Sequence, residues 1–211
     1  MPFKYSCFIS YRAAQNKLVE GIVNDLYELL SEEIDMMLED DVARVYLAPK
    51  RLQGGDLFNP ELAEALCQSV CIVALFTPNY FSKKEPYCAQ EYFAMEGLEQ
   101  TRLPLLPPGS KNHGLIIPVI IRGESLFPLA IKQKRQYYNF TALTKTSKQK
   151  INRPRGYLAG IQTIAEYVTL RYLELSTSGK DPCDICPGFT FPSKEVTHKW
   201  LEEIAAPPDG T

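Results

Sequence analysis

One short run of this chain, residues 87–92, brings together the side chains best suited to chemistry. It reads Tyr-Cys-Ala-Gln-Glu-Tyr and places the carboxylate of Glu91 four residues beyond the ring of Tyr87, which Cys88 follows directly. Because residues four apart on a helix share one face, the ring and the acid would face the same space at the start of that helix. The run therefore predicts a small polar pocket with an aromatic wall.

The same run has a simpler interpretation. A solvated glutamate near a helix N-terminus is favoured by the helix dipole and needs no role in a site. Tyr87 can likewise be packing at the rim of the core. The elements that position these residues decide how they are interpreted.

Length and composition favour one domain with a short extension. A chain of 211 residues with 45% hydrophobic content can bury one good core and leaves little for a second. The formal net charge of −2 and the lack of a long basic run argue against nucleic acid as a partner. The nearest basic patch, residues 145–155, is interpreted as a solvated connection, with anion binding as the alternative.

No run of the sequence is typical of a targeting or membrane segment. Residues 1–7 lead directly into a strand-like run, and no apolar run approaches the roughly 18 residues that a membrane helix needs. We therefore expect a soluble, cytoplasmic protein with no membrane partner. Four cysteines lie in apolar or amphipathic segments, where a reduced thiol behaves as a small hydrophobe, and we expect them to be reduced: Cys7, Cys67, Cys71 and Cys88.

Strand-like and helix-like segments alternate along the chain. Strands are expected at 5–9, 42–47, 70–76, 115–121 and 135–140, and Pro118 indicates an edge strand or a bulge. Helices are expected around the apolar positions of 18–30 and at about 60–69, 85–99 and 155–175. This alternation predicts right-handed crossovers and a mostly parallel sheet covered on both faces.

Sheets of this kind bind ligands beyond the carboxyl ends of their strands. The loops expected at those ends are 10–12, 49–56 and 78–86, and the last leads directly into the helix with Glu91. The predicted site therefore combines these loops with that glutamate.

Four segments in this order resemble the Toll/interleukin-receptor (TIR) domain family. They are 8–12 (Phe-Ile-Ser-Tyr-Arg), 51–56 (Arg-Leu-Gln-Gly-Gly-Asp), 76–80 (Phe-Thr-Pro-Asn-Tyr) and 87–91 (Tyr-Cys-Ala-Gln-Glu). The resemblance covers about residues 3–175 and implies a flavodoxin-like three-layer α/β sandwich with a five-stranded parallel sheet. We accordingly expect a TIR domain at 1–175 and a C-terminal extension or linker at 176–211.

The resemblance also implies an activity. Many bacterial and plant-type TIR domains cleave NAD⁺ between nicotinamide and ribose with a glutamate in the pattern aromatic-Cys-x-x-Glu, and Glu91 matches that position. By resemblance the chain is an NAD⁺ glycohydrolase or cyclase that takes NAD⁺ as substrate and uses no separate cofactor. Self-association, and a sensor or effector partner in a defence or cell-suicide pathway, belong to the same expectation.

Roles follow for the residues near that glutamate. Tyr87 would line the nicotinamide or ribose side, while Ser10, Tyr11 and Arg12 would offer donors to ribose and pyrophosphate. Arg12 is the best anion partner of these, because a guanidinium binds phosphate through two parallel hydrogen bonds. Phe8 and Cys88 complete this part of the expected substrate-binding set.

Arg51 and Asp56 belong to the same expected set. In the family this loop helps neighbouring copies assemble and can gate the pocket. The two residues can also simply form a turn, because Gly54 and Gly55 supply the backbone freedom for one.

Two departures from the family pattern keep other functions open. Tyr87 stands where enzymatic members commonly carry Trp, and 13–16 holds no acidic residue. A non-enzymatic adaptor that acts through TIR–TIR contacts, and a module that binds a nucleotide without cleaving it, are the alternatives.

The tail after residue 175 carries a second pattern. Cys183 and Cys186 form a C-x-x-C pair, and His198 follows, but a structural zinc site needs four ligands. We expect no metal there, and two reduced thiols in a tail that packs on the domain or leads to a partner, with zinc as the alternative.

Overall fold

A central parallel sheet organises the computed structural model, which describes residues 3–12, 17–38, 44–47, 60–111, 113–145, 151–178 and 183–205. Within these ranges the sheet has five strands in the order β2-β1-β3-β4-β5, all pairs parallel. The strands are β1 (Tyr5–Tyr11), β2 (Arg44–Leu47), β3 (Ser69–Phe76), β4 (Ile116–Ile120) and β5 (Tyr138–Asn139). A separate antiparallel pair joins β6 (Thr144–Lys145) to β7 (Ile151–Asn152).

Helices cover both faces of this sheet. They are α1 (Lys17–Met37), α2 (Pro60–Cys67), α3 (Tyr87–Arg102), α4 (Leu129–Lys134), α5 (Tyr157–Ser176) and α6 (Lys194–Ala205). The chain moves outward from β1 to β2 and back across to β3, so right-handed crossovers place α1 on one face and α2 and α3 on the other. Since α5 packs on α1, the result is the predicted three-layer α/β sandwich of flavodoxin-like topology.

The middle strand shows why the sequence pattern identified this fold. Every residue of β3 is buried, in agreement with the uninterrupted apolar run that predicted a strand covered on both faces. Strand β1 is buried from residue 6 to residue 11 and places Ser6 and Ser10 among apolar neighbours. The core therefore lies on both sides of β1 and β3, and polar side chains within it need partners.

Most predicted elements are confirmed, with shifted ends. Helix α2 ends at Cys67, and Ser69 already begins β3. Strand β5 covers two residues instead of the six expected. Of the predicted second strand, residues 42 and 43 lie outside the described ranges.

The prediction of an edge or a bulge at Pro118 is wrong. Strand β4 has neighbours on both sides, and Pro118 pairs with Ala74 without a register shift. The carbonyl of Ile120 accepts a bond from the Phe140 N–H at 2.8 Å on the β5 side, and alternation along the strand turns Pro118 to that same side. Because β5 pairs only from Val119 onward, the missing proline N–H removes no bond from the described ladder.

The C-terminal extension packs on the domain through α6. Trp200 stacks on Phe93 at 5.3 Å between ring centroids, meets Phe81 edge-on at 5.7 Å, and donates its indole N–H to Glu96 at 3.0 Å. Trp200 and Leu201 belong to the buried core. None of the helices in the described part of the chain is long and apolar enough to cross a membrane.

A disulfide also joins the extension to the domain. Cys67 and Cys186 are bonded, with 5.4 Å between their Cα atoms, so the expectation of reduced thiols is wrong for both. The two residues are 119 positions apart, and only the path of the chain brings them together. Cys7, Cys71 and Cys88 are buried and outside any disulfide, as expected.

Replacing Trp200 by Ala tests how strongly the extension stabilises the fold. We expect Trp200→Ala to lower the free energy of unfolding by about 3 kcal/mol, because it removes a buried ring and its aromatic contacts. Urea denaturation followed by far-UV circular dichroism measures the change. Val196→Ala on the same helix is the control, since Val196 is 48% exposed and should change stability by under about 0.5 kcal/mol. Equal effects of the two variants would contradict the assigned packing.

Candidate functional site

Three side chains meet at the carboxyl edge of the sheet. Ser10 lies near the end of β1, Tyr80 lies in the turn after β3, and Glu91 lies in the second turn of α3. The Ser10 hydroxyl donates to Glu91 Oε2 at 2.5 Å, and Ser10 Oγ lies 2.7 Å from Tyr80 OH. Because a serine hydroxyl has one hydrogen, the tyrosine must then donate to the serine. The three form a chain of hydrogen bonds that ends on the carboxylate.

Local structure explains how this chain forms. The turn after β3 closes with a bond from Tyr80 N–H to the Thr77 carbonyl at 2.9 Å, which brings the Tyr80 side chain back against the sheet. Helix α3 then begins after Pro86, whose carbonyl accepts the Gln90 N–H at 2.8 Å. The first turns of α3 carry Glu91 inward over the end of β1.

Burial controls the charge of Glu91. The residue is 4% exposed, which contradicts its interpretation as a solvated glutamate. Burial raises its pKa from 4.5 to about 7, against a smaller lowering by the Ser10 hydrogen bond. Near neutral pH, Glu91 is therefore protonated in part of the molecules and ionised in the rest.

Two other titratable groups of this region, Cys88 and Tyr11, do not titrate near neutral pH. Burial, followed by the charge of Glu91, raises the pKa of Cys88 well above its usual range, so it remains a thiol. Burial, with smaller contributions from Glu20, Cys88 and Glu91, raises the pKa of Tyr11 to about 12. Strand alternation turns Tyr11 to the face opposite Ser10, and its hydroxyl has no hydrogen-bond partner among the described residues.

Phe8 and Tyr87 differ in their access to solvent. Phe8 is fully buried two residues before Ser10, on the same face of β1, and stacks on Tyr46 at 5.2 Å. Tyr87 is half-buried, and Lys194 Nζ lies 5.8 Å from its ring centroid. Phe8 therefore supports the site from below, while Tyr87 borders it on the side of the extension.

Arg12 lies at the rim and is paired. Its Nη1 donates to the Glu85 carbonyl at 3.0 Å, and its Nη2 forms an ion pair with the Glu85 carboxylate. The Arg12 side chain is 22% exposed and that of Glu85 is 51% exposed. Arg51 and Asp56, the remaining predicted site residues, lie outside the described residues.

Two cavities in the structure lie away from the carboxylate. One of about 340 Å³ lies at the amino ends of β4 and β5, between Ile116, Tyr138 and Tyr167. The other, of about 280 Å³, lies between Gln90 and residues 189–194. Neither of these two cavities is lined by Glu91.

Cys183, Cys186 and His198, considered as the alternative zinc ligands, do not combine into a site. Cys186 is disulfide-bonded, and His198 Nε2 lies 2.9 Å from the Lys83 carbonyl. Across the described ranges, no group of three or more His, Cys, Asp or Glu side chains could hold a metal ion.

Sequence reasoning missed two residues of this region. Tyr80 appeared only as the end of a motif, and Glu85 was not considered. A polar aromatic in the loop that follows a buried strand was the available signal for Tyr80. The pairing of Glu85 with Arg12 depends on a contact across 73 residues and had no local signal.

Replacing Glu91 by Gln tests the burial of its charge. Between pH 4.5 and about 7 the folded wild type holds a proton that the unfolded chain has released, so its stability falls as the pH rises through this window. Since glutamine does not titrate, we expect Glu91→Gln to match wild type near pH 5. At pH 8 it should be more stable by on the order of 2 kcal/mol. Denaturation curves at four pH values measure this, with the exposed Glu203→Gln as control. A difference that does not change with pH would contradict the assignment.

Comparison with known proteins agrees with the fold. The family model described as TIR domain matches residues 7–153, which is more than half of the chain. No curated protein sequence matches the chain. The matched range contains Ser10, Tyr80, Glu91 and all of the five-stranded parallel sheet except the first two residues of β1. The chain belongs to the TIR domain family.

Proposed function

We propose that this TIR domain is an NAD⁺ nucleosidase, a glycohydrolase or a cyclase, with Glu91 as its catalytic carboxylate. The observation that carries the proposal is the buried Glu91, joined to Ser10 and Tyr80 at the carboxyl edge of the sheet. Ligands of open parallel sheets bind at that edge. Membership of the family supports the domain type and, by itself, fits an enzyme and an adaptor equally.

The electrostatics of Glu91 suit this reaction. The nicotinamide ring of NAD⁺ is cationic, and breaking its bond to ribose develops positive charge on the sugar. A buried carboxylate with a pKa of about 7 lacks full compensation of its negative charge. A cationic substrate would balance the negative charge of Glu91 and lower the pKa of its carboxyl group. The carboxylate is costly to form in the empty site, and the positive charge of the transition state would stabilise it.

The neighbouring side chains would orient this carboxylate and bind the rest of the substrate. Ser10, held by Tyr80, fixes one carboxylate oxygen and leaves the other to contact ribose hydroxyls. Arg12 would exchange Glu85 for the pyrophosphate. Exposed ion pairs are worth about 0–1 kcal/mol, so this exchange costs little. Tyr87 would contact the nicotinamide or ribose.

Assembly and biological setting belong to the same proposal. TIR domains act through contacts with other TIR domains, and self-association would complete the pocket between copies. Defence or cell-suicide signalling in the cytoplasm, with a sensor or effector partner, is the setting that the family resemblance supports.

One observation favours the adaptor as a second candidate. Leu126, in the connection between β4 and α4, is 64% exposed, and Leu129, the first residue of α4, is 50% exposed, so the two offer an apolar contact surface. An adaptor would use such a surface for homotypic contacts, and Glu91 would then be a buried structural group. A module that binds a nucleotide without turnover would use the proposed site itself, and turnover separates it from the enzyme.

Turnover tests the enzyme directly. We expect purified protein, concentrated or held together by a fused oligomerisation domain, to release nicotinamide from NAD⁺. Glu91→Gln and Glu91→Ala should lower the rate by at least about 100-fold, because the transition state loses its counter-charge. Chromatography with mass spectrometry measures the products, and linear or cyclic ADP-ribose distinguishes hydrolase from cyclase. Glu203→Gln should retain the wild-type rate. Equal rates for wild type and Glu91→Gln would remove Glu91 from catalysis, and no turnover in the assembled wild type would favour the adaptor.

The pH dependence of the rate tests the ionised form. We expect kcat/KM to rise with pH through about 7, because the carboxylate is required and burial sets its pKa there. Ser10→Ala removes the hydrogen bond that lowers this pKa, so the rise should move to higher pH. Ser6→Ala, a buried serine on the same face of β1, should leave the profile unchanged. A profile that moves in neither variant would show that a different group controls the rate.

A further inference from the structure

Three cysteines lie together where the C-terminal extension meets the domain. Cys67 at the end of α2 is bonded to Cys186, and Cys183 lies three residues before Cys186. The sulfur of Cys183 is 3.8 Å from the Cys67 carbonyl oxygen. A third sulfur therefore lies beside the disulfide without being part of it.

The backbone at Cys183 is already shaped for a bond to Cys186. Residues 183–186 form a turn, closed by a hydrogen bond from the Cys186 N–H to the Cys183 carbonyl at 3.0 Å. Such turns keep their first and fourth Cα atoms within about 7 Å, and disulfides span about 4.4–6.8 Å between Cα atoms. A Cys183–Cys186 bond thus needs little movement of the chain.

A buried cation lies at the same place. Arg102 is 1% exposed, and its guanidinium donates to the Cys67 carbonyl and, at 2.9 Å, to the Ser69 carbonyl. Burial lowers the pKa of Arg102 to about 10, and its interaction with Cys183 opposes that lowering. A nearby guanidinium favours the thiolate form of cysteine, which is both the attacking and the leaving form in disulfide exchange.

We propose that Cys67, Cys183 and Cys186 form a thiol–disulfide exchange site that controls the covalent attachment of the extension. The Cys183 thiolate attacks the Cys186 sulfur, the Cys183–Cys186 bond forms, and the Cys67–Cys186 bond breaks. Cys67 leaves as a thiolate and takes up one proton, which replaces the proton that Cys183 released. The numbers of thiols and disulfides are unchanged, so the step needs no oxidant or reductant.

Exposure makes Cys183 the entry to this site. Cys67 and Cys186 are fully buried, while Cys183 is half-buried. After the exchange, a small thiol in solution reaches the Cys183–Cys186 bond at its Cys183 sulfur. The thiolate of the small thiol attacks that sulfur, a mixed disulfide forms at Cys183, and Cys186 leaves as a thiolate and takes up one proton.

Exchange would loosen a specific segment, residues 186–193, which we call the strap. One described anchor of the strap is the bond from Gln90 Nε2 to the Pro192 carbonyl at 2.6 Å, and a cavity of about 280 Å³ lies beneath its end. Trp200 would still hold α6 in place. Because the strap contacts Gln90, next to Glu91, its release would alter the surroundings of the candidate site, and this last consequence rests on the proposed function.

Mapping of the disulfides tests the exchange without any assay of activity. The full chain is equilibrated in glutathione buffers of graded oxidation, blocked with N-ethylmaleimide, and digested without reduction by trypsin and a protease that cuts before Asp184, which separates Cys183 from Cys186. We expect wild type to contain Cys67–Cys186 and Cys183–Cys186 bonds, with Cys67 blocked by the reagent in the second form. Cys183→Ser should contain only the first. The proposal would be overturned if wild type lacked the Cys67–Cys186 bond at every glutathione ratio, or lacked the Cys183–Cys186 bond at every glutathione ratio.

Amide hydrogen exchange tests the effect on the strap. We expect strap peptides of oxidised Cys186→Ser to exchange about tenfold faster or more than those of oxidised Cys183→Ser, which keeps the bond. Fully reduced wild type should match Cys186→Ser, which separates loss of the bond from any effect of the serine itself. Equal exchange in all three would overturn the control of the strap. Since neither measurement uses NAD⁺, each outcome is independent of the proposed activity.

Discussion

The requirement that a parallel sheet be covered on both faces sets the conditions for everything else in this protein. Strand β3 is buried along its whole length and β1 nearly so, so the sides of the sheet belong to the core. Polar groups can then collect only at the ends of the strands. Ser10 and Glu91 meet at the carboxyl end, and Glu99 forms a partly buried ion pair with Arg135, at 2.6 Å, at the other.

The two ends differ in how their charges are balanced. Glu99 contacts Arg135 through both carboxylate oxygens and also accepts the Leu115 N–H at 2.5 Å, so its charge has partners in place. Glu91 has a serine hydroxyl on one oxygen, and its pKa rises to about 7. The paired charge of Glu99 contributes to structure, whereas the charge of Glu91, which lacks a cationic partner, is available to a ligand that brings positive charge. This contrast within one domain is the strongest physical argument for a site at Glu91.

The C-terminal extension also contacts α3, the helix that carries Glu91. Trp200 packs on the outer side of α3, the strap contacts Gln90, and Lys194 approaches Tyr87. Helix α3 therefore presents Glu91 to the sheet, and another part of its surface packs on the extension. The position of α3 depends on its contacts with the sheet and with the extension. The Cys67–Cys186 disulfide secures the extension, and the proposed thiol exchange would transfer that bond to Cys183.

The sequence by itself predicted the five strands of the sheet and four of the helices, its resemblance to the family predicted the flavodoxin-like fold and the choice of Glu91 as the candidate residue, and helices α4 and α6 were not predicted. These predictions rest on local apolar periodicity and on short motifs, both of which are defined by residues that are neighbours in the sequence. It predicted an edge or a bulge at Pro118, which is wrong because the position of a strand within the sheet depends on which strands pair with it. The tertiary structure alone decided that Glu91 is buried, that Tyr80 completes its hydrogen-bond chain and that Cys67 is bonded to Cys186. Burial, pKa and pairing across 119 residues arise from the path of the whole chain, and no local pattern encodes that path.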